Sequence, residues 1–194
     1  MTVLVDAGHG RETPGKRSPD GVFREWSWCR DVAEIVVESL LAEGIRAILL
    51  VPEENDVLLG ERCRRANAYA KTHKDTVLVS IHVNAAGDGR TWNSAQGWQI
   101  HTYLRPSEAS VRLAEDIFDE AWKRSFYCRK PRPSQKHWPK NLMILRDSIC
   151  PAVLVENFFQ DNREDVQYLL SPISIYDCAE VIRDGVIKYF CYPD

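Results

Sequence analysis

A chain of 194 residues buries roughly two thirds of the surface its unfolded form exposes, so it needs neither disulfides nor a structural metal to hold a core. With 28 acidic and 25 basic residues, a net charge of −3 and a pI near 6.0, it carries no basic footprint for nucleic acid. No apolar run reaches the roughly 18–20 residues that span a bilayer, and the six scattered cysteines, with no C-x-x-C pair, read as free thiols of a chain folded in a reducing compartment.

In chain order, residues 2–5 predict a short strand. A Gly/Pro-rich loop follows over 6–24, DAGHGRETPGKRSPDGVFR, long enough to be functional or mobile. Val32, Ile35, Val36 and Leu40 recur at helical spacing over 25–43, and Gly44 supplies a C-terminal stop. IRAILLV (45–51) predicts a second buried strand ended by Pro52, and 58–72 a helix with Leu59, Cys63, Ala66, Tyr69 and Ala70 on one side. TVLVSIHVNA (76–85) is a continuous β-branched run, as expected of a central strand covered on both faces. A strand over 97–104 and a helix over 107–124 capped by Ser107 come next. Beyond a basic, Pro-containing loop (125–140) lie two short strands, 142–146 and 152–159, and a final helix over 171–190. Strands alternating with helices predict one α/β domain over 1–194: a mostly parallel twisted sheet of about six strands, flanked by helices on both faces, with no separate binding module.

Ligands of open α/β sheets bind beyond the carboxyl ends of the strands. Three predicted strands end in a group able to bind metal or move protons: the first exits into His9, the third finishes on His82, and the late strand finishes on Glu156. Glu25, where the long loop runs into its helix, is a fourth, with Glu12 a rival three residues past His9. Two imidazoles and a carboxylate are the usual ligand set of a catalytic zinc, and a second carboxylate nearby would take a proton from water.

Those residues sit in recognisable surroundings. VDAGHG after the first strand, a Glu opening the next helix, SIHVNA, and PAVLVENFFQDN resemble the zinc-dependent N-acetylmuramoyl-L-alanine amidases that cut bacterial peptidoglycan, in the family's order over nearly the whole chain. The resemblance implies that His9, Glu25 and His82 bind one Zn²⁺ and that Glu156 is the catalytic carboxylate. It departs in the loop GRETPGKRSPDG, in Trp26 after Glu25 and in Asn157-Phe158 after Glu156, which leaves the ligand types intact and the loop contacts open.

On this reading the loops 11–24 and 86–95, with Trp92 and Asn93, wall a groove for glycan and stem peptide. Asn84 and His137 are substrate-binding candidates, and Asp6 orients His9 from behind. His101 reads as a strand-face residue and His73 as a helix-end cation. Two alternatives stand beside the amidase: a zinc peptidase or deacylase acting on a free acylated amino acid or peptide, and a wall-binding module with a decayed site. The expected partner is peptidoglycan, with neither nucleic acid nor membrane, and the expected state a monomer. No signal peptide fits before a strand that starts at Thr2, which points to release at phage lysis or to a trimmed exported enzyme.

Overall fold

The run TVLVSIHVN folds as β3 (Thr76–Asn84) at the centre of the computed structural model, which describes residues 1–191. Val77, Leu78, Val79 and Ile81 are all buried, so both faces of the strand are covered. Around it lie β1 (Thr2–Ala7), β2 (Arg46–Leu49), β4 (Gln99–Thr102), β5 (Trp138–Pro139) and β6 (Ala152–Phe159), in the order β2-β1-β3-β6-β4-β5. The four strands from β2 to β6 are parallel; β4 runs antiparallel to β6, and β5 parallel to β4.

Helices cover both faces. Alternation along the strands sends Val3, Val5, Val79, Ile81, Val153 and Val155 into one apolar layer with α1 (Glu25–Ala42), α3 (Glu108–Lys123) and α6 (Pro172–Cys191). Leu4, Leu78, Ala152 and Leu154 point the other way, against α2 (Leu59–Thr72) and α4 (Met143–Arg146). The polar residues of the same parity, Asp6, Ser80, His82 and Glu156, therefore share the α2–α4 side. Helix ends follow local chemistry: Gly44 takes φ 75° and sends its N–H to Leu41, while Ile45 bonds back to Leu40, and Ser107 accepts from the Ser110 N–H.

Two predicted elements differ. Residues 142–146 are not a strand: the Leu145 and Arg146 N–H groups both return to the Leu142 carbonyl, closing the helical turn α4. The sixth strand is instead the two-residue β5, within what reads as loop. A short helix, α5 (Arg163–Leu169), follows β6, where Asn162 accepts from the Glu164 and Asp165 N–H groups. The cysteines are all unpaired thiols, and among the described residues no helix is long and apolar enough to cross a membrane.

Helices α3 and α6 approach closely at Gly185. A Cβ there would lie 2.4 Å from the Ile117 Cα and 2.8 Å from its N, so α3 and α6 would have to part. Gly185→Ala is expected to destabilise the fold by about 2 kcal/mol, overpacking outweighing the ~1 kcal/mol that alanine adds to a helix. The urea midpoint measures it.

Candidate metal and catalytic centre

The centre begins where β1 runs out. Gly8 donates its N–H to the Ile81 carbonyl, so the chain is still tied to β3 as it leaves the strand. There the backbone turns: His9 adopts φ 60°, a left-handed conformation that L-residues avoid. Glycines on either side permit it. A Cβ on Gly8 would meet the His82 ring at 2.6 Å, and one on Gly10 the Asp56 N at 2.2 Å. Two arginines hold the turn, since Arg30 and Arg62 each donate to the His9 carbonyl at 3.0 Å.

Three ligand atoms converge in front of that turn. His9 Nε2 lies 3.2 Å from His82 Nδ1 and 3.3 Å from Glu25 Oε1, and His82 Nδ1 lies 3.2 Å from the same oxygen. A tetrahedral ion with bonds of about 2.0–2.1 Å separates its ligands by about 3.3–3.4 Å. The three mutual distances match that edge. Glu25 opens α1, is fully buried, accepts the Val83 N–H on Oε1, and leaves its Oε2 with no hydrogen-bond partner. A buried carboxylate with an orphan oxygen against two imidazoles is the signature of a cation site, and the donor set suits zinc. Burial opposes the ionisation of Glu25, but hydrogen bonds to His82 and His9, with the charge of both rings, hold its carboxyl well below the usual range.

Glu156 lies beside this cluster because β3 and β6 run in register, with His82 directly opposite Glu156. The register slips just beyond, between His82 and Asn84, and Phe158 takes φ 67°. Asn157, on the opposite side of β6, donates to the His82 carbonyl and accepts from the Trp98 indole, locking the two strand ends together. Glu156 has an unpartnered, shielded Oε2. Burial, reinforced by the charge of Glu25, pushes its carboxyl up to about 7 against the pull of His82.

A cavity of about 680 Å³ opens over His9, His82 and Glu156. One wall is apolar, from Val57, Leu58, Leu59 and the α4 turn Leu142–Ile144; Lys16, Thr13 and Asp56 stand among its polar residues. Loop 11–24 thus contributes to the cleft, as its length suggests. Loop 86–95 does not line it. That loop is pinned to the end of β6 by Asp161, which accepts from the Ala86 and Gly87 N–H groups and the Asn93 amide, while Trp92 lies under Arg163.

The other sequence candidates separate cleanly. Glu12 turns outward and accepts from the Asp56 N–H, leaving Glu25 as the carboxylate that meets both rings. Asp6 does not touch His9; it binds Arg62 at 2.7 Å and Ser80 at 2.5 Å, and acts on His9 only through Arg62. Asn84 folds back onto the Ala85 N–H, and His137 is buried against the Thr102 hydroxyl. Neither borders the cleft. His101 sits buried between Gln99 and the Trp138 carbonyl, which burial accompanies with a fall to about 4.

Arg62 is the residue that sequence reading passed over. It is 2% exposed, and besides Asp6 and His9 it reaches the Ala7 and Val57 carbonyls. The signal was present: Arg62 and Ala66 are four apart on the buried stripe of α2, where a cation has no place unless a partner awaits it.

The family model described as N-acetylmuramoyl-L-alanine amidase matches residues 3–188. The endolysin of Bacillus phage SPP1 is 29% identical over 191 residues, covering 96% of this chain and 65% of its own length. The N-acetylmuramoyl-L-alanine amidase LytC of Bacillus subtilis is 26% identical, over 97% of this chain and 35% of its own. The chain therefore spans under two thirds of these relatives. Among solved structures, an N-acetylmuramoyl-L-alanine amidase from Clostridium difficile 630 superposes with a TM-score of 0.85 at 25% identity, covering 100% of this chain and 98% of that one.

The raised Glu156 carboxyl has a cost in stability. A carboxyl whose folded pKa lies above its unfolded value binds more protons when folded, so its penalty is absent below about pH 4.5 and grows as pH rises to about 7. Glu156→Gln is expected to remove that slope and to stabilise the metal-free protein at pH 8 by roughly 2 kcal/mol, the full ~3 kcal/mol being reduced by the water that reaches the cleft. Denaturant titrations at pH 5 and pH 8, in chelator, measure the difference. A second substitution probes the buried pair: Arg62→Met strands Asp6 and should cost about 3–5 kcal/mol, read from the shift in thermal unfolding.

Proposed function

The chain belongs to the N-acetylmuramoyl-L-alanine amidase family, and from that membership we propose that it is a catalytic unit that hydrolyses the amide between the lactyl group of N-acetylmuramic acid and the L-alanine of the peptidoglycan stem. The observation that carries this reading is the tetrahedral spacing of His9 Nε2, Glu25 Oε1 and His82 Nδ1 with Glu156 alongside.

We assign His9, Glu25 and His82 as the residues that would hold one Zn²⁺. Bound there, zinc supplies Lewis acidity toward an amide carbonyl and lowers the pKa of water. The chain's own chemistry rests on Glu156. As a water attacks the amide carbon, Glu156 accepts its proton; when the C–N bond breaks, Glu156 returns that proton to the alanine nitrogen, which departs as an amine and not as an amide anion. Burial in the metal-free chain raises the Glu156 carboxyl toward neutrality, the direction that favours returning the proton as well as taking it. The apolar wall keeps water from crowding the cleft, and the arginine-held turn keeps His9 facing His82. Peptidoglycan is then the partner and the cell wall the place of action, a reading supported by relatives named as an amidase and as a phage endolysin.

Glu156→Gln is expected to lower turnover of purified peptidoglycan by about 10²–10⁴-fold while retaining one equivalent of zinc, and His9→Ala to lose both metal and turnover. The readouts are metal content and free α-amino groups of L-alanine. Reducing sugar ends, or new amino groups on other residues, would refute the bond assignment.

A further inference from the structure

The cleft contains one cation with no ion-pair partner among the described residues. Arg62 also borders it, but its guanidinium is committed to Asp6 and to backbone carbonyls. Lys16 differs: it lines the same cavity as His9, His82 and Glu156, and no carboxylate lies within ion-pair distance of its ammonium. Its backbone is not free, because the Lys16 carbonyl accepts the N–H of Glu25, the residue that opens α1. The loop thus holds Lys16 at a set position relative to the ligand cluster.

We propose that Lys16 is a specificity-determining residue that binds a carboxylate of the stem peptide close to the scissile amide. This rests on the amidase reading, and the chemistry of that substrate narrows the choice. The glycan strand is neutral once the lactyl carboxyl is tied up in the amide being cut. A carboxylate within reach of the reacting centre therefore belongs to the peptide, and the first available one is the α-carboxylate of a γ-linked glutamyl residue following L-alanine. An ammonium on a flexible stem, in a cleft lined also by Val57, Leu58 and Leu59, suits that group and binds its neutral carboxamide more weakly, by a hydrogen bond without the opposite charge.

Two synthetic probes test this: a muramoyl tripeptide carrying D-isoglutamate and the same compound carrying D-isoglutamine. The wild-type, zinc-loaded protein is expected to favour the carboxylate by about tenfold in kcat/KM. In Lys16→Met that ratio should fall to within about twofold of unity, the loss on the carboxylate substrate falling on KM, while Lys16→Arg should keep a preference. Raising the salt concentration should shrink the wild-type ratio. An unchanged ratio in Lys16→Met overturns the proposal, as does an equal fall in kcat on both probes, which would place Lys16 at the developing oxyanion instead. Zinc content and thermal unfolding of the variant guard against misfolding. If the wild type cleaves neither probe nor peptidoglycan, the amidase reading fails and the assignment of Lys16 goes with it.

Discussion

An ionised carboxylate buried against two imidazoles is the interaction on which the rest of this structure depends. Glu25 is fully shielded, and its charge is tolerable only because His9 and His82 close on it and the Val83 N–H donates to it. Each neighbouring peculiarity serves that arrangement. Gly8 leaves room for the His82 ring, and the left-handed turn aims His9 at it. Arg30 and Arg62 grip the carbonyl of that turn, and Asn157 fixes the end of β3 from the far side of β6. Strain of the size expected at such a turn, about 1–3 kcal/mol, persists only where the surroundings over-determine it.

Much of this was legible in the linear chain because it follows from strand parity. Asp6, Ser80, His82 and Glu156 fall on one face by a period of two, and His82 meets Glu156 through plain parallel register. The central strand and the helices with strong apolar spacing are also where their side chains say they are. What escaped reading depends on contacts between segments remote in sequence. The spacing alone leaves Glu12 a rival to Glu25, the ligand that the family resemblance implies, and it is the fold of the loop, with Glu12 held by the Asp56 N–H, that turns Glu12 away. His137 is polar in a basic loop, yet Thr102 captures it at the sheet edge.

The short apolar run LMILR shows a different limit. Five residues do not distinguish a strand from one helical turn, and α4 turns where a strand would have extended the sheet. That turn brings Leu142 to Ile144 against the cleft, so the mistaken element proves to be part of the wall. Arg62 escapes notice for a related reason: a charged residue on a helix is solvated by default, and only its place on the buried stripe argues otherwise.

The three convergent side chains come from segments 16 and 57 residues apart, and none of the intervening stretches can assemble the cluster alone. Closing both loops is entropically paid by the sheet and helices, not by the cluster. Any cation that favours this geometry therefore selects the folded chain over forms in which the cluster is broken, so that once the site is filled resistance to unfolding goes on rising with the logarithm of free ion concentration. The same linkage makes scarcity of the ion a condition under which the chain is left more open to proteolysis.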